Sequence, residues 1–198
     1  MGLDSAGRTQ LHHKGKLVIG VENTPTVIFD LMQFLVIDLG GVVGQIGMGQ
    51  HGTAFAHAGM RMGPAICYEG LYGDFYGDFV RRGAQFMAII SNDGWWGDTP
   101  GYKHLFTISR LRAIEHRRAI ARSANTGMSG FISARGDIGE TLGWKKRGVI
   151  SAAVPLNSEL TFYTRYGDYL GRISEYLTLL CVLYYIAYRV KRKNYLIK

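Results

Sequence analysis

Cys67 closes the apolar run Gly63-Pro64-Ala65-Ile66, and a carboxylate follows two residues later at Glu69. A second apolar run, Gln85 to Ser91, ends in Asn92-Asp93-Gly94-Trp95-Trp96-Gly97. Two short buried-type strands that each end in reactive or polar side chains are the pattern of an α/β active site. The chemistry such a thiol offers is nucleophilic. It needs a group to hold the thiolate, a group to move protons, and donors for the developing oxyanion. Taken alone, Cys67 reads first as a small core hydrophobe, the common fate of a free cysteine, and it is the rest of the chain that turns the reading towards chemistry. A Cys/His pair with His104 or His116 as base is open on composition, but both fall on a segment rich in basic residues and are expected to be solvated.

The elements around the thiol sharpen the picture. A strand over Pro64–Ile66 is followed by a helix from about Gly70 to Arg82, whose apolar positions Leu71, Phe75 and Phe79 recur at i, i+4 and i+8. Cys67 is therefore expected on a strand-to-helix elbow, where unpaired N–H groups and the helix dipole favour an anion and lower a thiol pKa. Asp98-Thr99-Pro100 opens a helix running to about Arg118, with Leu105, Ile108 and Leu111 expected on its buried face. Ile120–Ser123, Met128–Ser133 and Val149–Val154 read as further strands, so the domain is a layered α/β fold. Val27–Leu39 is strongly apolar: it is either a core helix or an exposed arm resting on a bilayer.

The 198 residues suffice for one domain with a real core, and 47% hydrophobic against 19% charged residues excludes a disordered tail. The net charge of +8 lacks the arginine-rich stripe with stacking aromatics that nucleic acid would want, so a membrane is the better partner. Only two cysteines occur, and Cys181 lies inside an apolar helix, so no disulfide is expected. The six histidines show no metal-ligand spacing, and neither metal nor cofactor is implied. Ile173–Val190 is long enough to cross most of a bilayer and is apolar on all sides. Tyr176, Tyr184, Tyr185 and Tyr188 cluster towards its ends, and Glu175 and Arg189 can snorkel. A buried C-terminal helix is the alternative. The basic residues after it, Lys191-Arg192-Lys193 and Lys198, place the tail in the cytoplasm and the α/β domain on the opposite face.

Lys14 with Leu17-Val18 and Glu22, Asp38-Leu39-Gly40-Gly41, Ile66-Cys67-Tyr68-Glu69 and Asn92 to Gly97 together resemble the carbon–nitrogen hydrolase (nitrilase) superfamily. Arg110 to Glu115, Arg122 to Gly127, Phe162-Tyr163-Thr164 and Gly167-Asp168 extend the likeness, and within the superfamily the apolipoprotein N-acyltransferases of bacterial envelopes are the best match. The resemblance implies a partial nitrilase-like α-β-β-α sandwich over residues 1–170, one transmembrane helix over 171–190 and a basic cytoplasmic tail over 191–198. It implies a Glu–Lys–Cys triad in which Cys67 becomes an acyl thioester and Lys14 stabilises the oxyanion. Lys16 is a rival by proximity. Glu22 and Glu69 match supporting positions, Tyr68 adds a backbone N–H beside the nucleophile, and Trp95 and Trp96 wall an acyl pocket. An ion pair for Glu69 and plain core packing for the tryptophans are the bland alternatives.

The implied reaction takes an acyl chain from a phospholipid to the α-amino group of an apolipoprotein's diacylglyceryl-cysteine, by a monomer at the inner membrane with its catalytic domain in the periplasm. The family's general-base glutamate lies upstream of the lysine, whereas here 13 residues precede Lys14 and their sole acid is Asp4. The chain therefore reads as the C-terminal part of an acyltransferase, and turnover by this chain alone is not expected. A membrane-tethered amidase and a non-catalytic lipid-binding remnant are the competing readings.

Overall fold

Short runs of branched and aromatic residues separated by glycine-rich turns pair into a mixed sheet. The computed structural model describes residues 1–18, 22 and 48–196. The apolar stretch Val27–Leu39 and the Asp38-Leu39-Gly40-Gly41 motif lie outside them. A small hairpin of β1 (Gly2–Leu3) and β2 (Thr9–Gln10) opens the chain. The main sheet holds β3 (Phe55–His57), β4 (Met60–Ile66), β5 (Phe86–Ser91), β6 (Ile120–Ala124), β7 (Ser129–Ile132) and β8 (Ile138–Leu142) in sequential order. Its centre, β4-β5-β6, is parallel and its flanks are antiparallel. Parallel neighbours require crossovers, and these are α1 (Gly73–Arg81) and α2 (Pro100–His116). A short α3 (Phe162–Tyr166) and a long α4 (Tyr169–Leu196) follow.

Strand alternation decides which face is covered. Met87, Ile89 and Ser91 of β5 are buried under the helices, while Ile90 on the other face is 60% exposed. Ala65, Tyr76, Phe79, Val80, Met87, Ile89, Phe106, Ala113, Ile120 and Ile132 make one apolar core between the sheet and its helices. The opposite face carries Ala88, Ile90, Ala121 and Phe131, and a groove of about 360 Å³ runs between them and the stretch that includes Val149 and Ile150. That stretch is not a strand, which corrects the expectation for Val149–Val154: Val149 is exposed and no sheet partner takes its backbone. β8, which carries Gly139-Glu140-Thr141 amid its apolar ends, was not expected.

The opening of α2 is as the sequence dictates. Thr99 accepts a hydrogen bond from the Gly101 N–H and Pro100 sits in the first turn. Its buried face is not the one expected. Tyr102, Phe106, Ser109, Arg112, Ala113 and His116 point inward, Leu105 and Ile108 are half-buried, and Leu111 faces solvent. The reason is polar: His116 Nδ1 lies 2.8 Å from Thr164 Oγ1, and Thr161 Oγ1 donates to the Glu115 carbonyl. Arg118 donates to the carbonyls of Ala84 and Glu159. These bonds fasten the segment leading to α4 onto the end of α2.

His116 is thus fully buried rather than solvated. Burial, and then the nearby Arg112 charge, push its pKa from 6.5 down to about 3. Because the folded pKa is depressed, the unfolded chain binds a proton that the folded chain refuses between these two values. The contribution of His116 to stability is complete above about pH 6.5 and is lost as pH drops through the window towards 3. His116→Gln, which cannot titrate, should show a flatter dependence in urea unfolding at pH 7 and pH 5. An unchanged slope would remove His116 from the acid response.

The last helix stands apart from this core. Tyr169–Arg189 has a mean hydropathy of 1.3 and none of it is buried. Leu177, Leu180, Leu183, Tyr184 and Tyr185 are all exposed, so the helix offers apolar side chains without a partner among the described residues.

Candidate active site

β4 and β5 run side by side, with Ile66 paired to Ile90, so the turns that follow them emerge at the same sheet end. From β4 the chain enters a 3-10 turn, Cys67–Leu71, rather than passing straight into an α-helix. Cys67 is the first residue of that turn and has φ 48°, the left-handed region that non-glycine residues seldom occupy. Such a conformation costs on the order of 1–3 kcal/mol and persists only where neighbours impose it. The thiol is half-buried at this elbow.

Glu69 ties down the residue just before Cys67. Its side chain is fully buried, and its carboxylate accepts N–H bonds from Ile66 and Gly15, each at 2.6 Å. His12 Nε2 lies 3.0 and 3.1 Å from the same two oxygens. One carboxylate therefore joins the residue before Cys67 to the segment that carries Lys14. Gly15 has to be glycine, because a Cβ there would run into the Phe75 ring and the Gly49 carbonyl. Glu69→Gln should destabilise the fold by on the order of 2–3 kcal/mol, since an amide cannot accept from every donor now facing a charge. Chemical denaturation measures this; a loss below about 0.5 kcal/mol would mean that the donors find other partners.

The two lysines separate cleanly. Lys14 Nζ donates to both Glu22 oxygens at 2.6 Å, and Glu22 also accepts the Val18 N–H at 2.8 Å. Lys16 Nζ instead lies over the rings of Tyr72 and Phe75, at 5.2 and 5.4 Å from their centroids. Tyr68, next to the nucleophile, is half-buried and packs edge-on against Tyr72.

Beyond β5, Trp95 and Trp96 occupy a 3-10 turn and are 54% and 47% exposed, so neither packs into the core. Trp96 lies against Gly101 at the start of α2. Their loop is anchored by Asp93, fully buried, which receives Ser91 Oγ at 2.5 Å and the Arg122 guanidinium at 3.0 Å on both oxygens. Arg122 also donates to the Met128 carbonyl. A side chain at Gly127 would collide with Asp93.

Lys14 with Glu22, and Glu69 with the Cys67 elbow, are thus brought into two linked contacts, while the tryptophans flank them on the adjacent loop. His12, Asp93 and Arg122 had no role in the sequence reading. Asp93 and Arg122 lay inside noted motifs, but their pairing spans 29 residues and only the fold brings them together. Among the described residues, no group of three His, Cys, Asp or Glu side chains could hold a metal ion.

Residues 3–160 match the carbon-nitrogen hydrolase family model. The chain belongs to the carbon–nitrogen hydrolase family. Its α/β fold with a mixed sheet is nitrilase-like. Within the family, an apolipoprotein N-acyltransferase of Chlorobaculum tepidum is 37% identical over 169 residues, covering 83% of this chain and 32% of that protein. One from Rhizobium meliloti is 42% identical over 97 residues, covering 49% of this chain and 18% of that protein. The chain thus spans about a third, or less, of the length of these relatives. Among solved structures, Saccharomyces cerevisiae Nit3 superposes with a TM-score of 0.46 at 20% identity, over 52% of this chain and 40% of Nit3.

Proposed function

We propose that this carbon–nitrogen hydrolase chain is the C-terminal part of an N-acyltransferase that carries a fatty acyl group as a thioester on Cys67. The observation that carries the reading is the shared carboxylate of Glu69, which ties the Lys14 segment to the strained Cys67 elbow. In this reading the Cys67 thiolate attacks the ester carbonyl of a phospholipid, the tetrahedral oxyanion collapses with cleavage of the acyl C–O bond, and the lysophospholipid leaves as an alcohol carrying the proton that the thiol gave up. Lys14 offers its ammonium to the oxyanion, with Glu22 keeping the lysine aimed. The N–H of Tyr68 is a second donor. The α-amino group of a diacylglyceryl-cysteine peptide then attacks the thioester, the C–S bond breaks to leave the amide, and the proton lost by the amine returns to the Cys67 sulfur. Glu22 and Glu69 support the site in this scheme, and neither is assigned as the base.

Trp95 and Trp96, held outward by the Asp93–Arg122 pair, suit the contact of an acyl chain that arrives from a bilayer. The unburied apolar helix α4 suits the same setting as a membrane span over 171–190, with residues 191–198 in the cytoplasm and the 1–170 domain in the periplasm. The names of relatives up to 42% identical support N-acyl transfer to an apolipoprotein, and the phospholipid donor and diacylglyceryl-cysteine acceptor belong to this proposal.

The test assays the chain in membranes beside a version carrying the upstream region of its relatives. Both receive a phospholipid with a labelled acyl chain and a diacylglyceryl-cysteine peptide. Labelled N-acyl peptide supports the proposal. Free fatty acid at equal yield with and without peptide would show an amidase-like hydrolase instead, and no release from either version would favour a lipid-binding role.

A further inference from the structure

We propose that His12 is a positioning residue: acting through Glu69, its imidazole sets the place of Lys14 relative to the Cys67 elbow. This rests on the reading of Lys14 and Cys67 given above. The lysine is bracketed. Two residues before it, His12 Nε2 bonds both Glu69 oxygens, and one residue after it the Gly15 N–H bonds Oε1 of the same carboxylate. The other oxygen takes the Ile66 N–H, immediately before Cys67.

The bracket is rigid for physical reasons. The His12 side chain is 2% exposed, and its ring meets the Phe79 ring edge-on with centroids 5.0 Å apart. Phe79 is itself in the core, so the imidazole has no room to turn. A bond from Gly15 alone would fix one peptide and leave residues 12–14 free to swing about it. With both ends tied, and with the Lys14 carbonyl taken by the Gly49 N–H at 3.0 Å, the backbone that carries the ammonium has one path. A buried carboxylate with several charge-assisted donors makes that path worth keeping.

The role requires a donor at the Nε2 position, not merely a ring of the right volume. The amide nitrogen of glutamine reaches the place of Nε2, whereas that of asparagine stops near Nδ1. The experiment uses the 198-residue chain with Cys181→Ser, so that one thiol is read. Alkylation by iodoacetamide is followed by intact mass from pH 5 to 10, giving the thiol midpoint and the limiting rate, with circular dichroism for fold.

His12→Leu should raise the midpoint by about one unit, slowing alkylation at pH 7 about tenfold while the limiting rate at high pH stays put. His12→Gln should restore the parent profile and His12→Asn should resemble His12→Leu. Lys14→Ala, the reference, should raise the midpoint at least as far. Unchanged midpoints in the His12 variants beside a shift in Lys14→Ala would overturn the positioning role while leaving the site reading intact. No shift in any variant, Lys14→Ala included, would sink the lysine–cysteine reading and this proposal together. A His12→Gln profile as poor as that of His12→Leu would mean that the ring only packs. If the leucine variant does not fold, the glutamine and asparagine pair decides the matter.

Discussion

Replacing Cys67 by alanine is expected to abolish acyl transfer, with a loss of at least ~10⁴-fold, because no other group in the scheme can accept the acyl chain. The parent protein incubated with phospholipid should gain one acyl mass that hydroxylamine removes, as a thioester requires. Cys67→Ser keeps the side-chain geometry at φ 48° but offers a hydroxyl that does not ionise near neutrality, so it too should stay unmodified. The readout is intact mass and peptide mapping of the version that carries the relatives' upstream region. An adduct persisting in Cys67→Ser would point away from thioester chemistry, and one persisting in Cys67→Ala would place the chemistry elsewhere. Loss of the adduct with an unchanged melting curve separates a chemical from a folding defect.

The second large effect is expected at Lys14. An ammonium facing a developing oxyanion contributes several kcal/mol, so Lys14→Ala should cost on the order of 10²–10³ in acylation rate. Lys16→Ala should be mild. The contrast rests on what each ammonium touches: Lys14 is locked to Glu22 by two bonds of 2.6 Å, while Lys16 rides over Tyr72 and Phe75. Lys16 is half-buried, and a cation–π contact there is worth about 0.5–2 kcal/mol, so its loss belongs to packing. Lys14→Arg, which keeps the charge but spreads it over a longer planar group, should recover little of the rate. Single-turnover acylation of Cys67 is the measurement. A larger defect in Lys16→Ala than in Lys14→Ala would move the oxyanion role to Lys16.

Much of this architecture was legible along the chain. The apolar runs ending at Ile66 and Ser91 become adjacent parallel strands, and Thr99-Pro100 caps a helix where capping chemistry says it must. The apolar run Ile173–Val190 falls within one helix, Tyr169–Leu196. These are local facts: strand alternation, an N-cap and continuous hydrophobicity depend on neighbours within a few residues. The family resemblance named Cys67, Lys14, Glu22 and Glu69, together with Tyr68 and the two tryptophans, as candidates.

What the tertiary structure decided is how those residues meet. Apolar periodicity put Leu111 inside and the basic neighbours put His116 outside, yet the fold reverses them, because Thr164, 48 residues away, supplies a buried partner for the imidazole. Val149–Val154 has strand composition but no strand beside it, and pairing, not propensity, makes a strand. The helix expected from Gly70 begins only at Gly73, since Glu69 turns back to the Ile66 N–H and winds the residues after Cys67 into a 3-10 turn. His12 stood among six histidines without distinction, and its carboxylate lies 57 residues away. Long-range polar pairs carry no periodic signature, so the carboxylate bonds that tie the segment of Lys14 to the residue before Cys67 could be seen only in the fold.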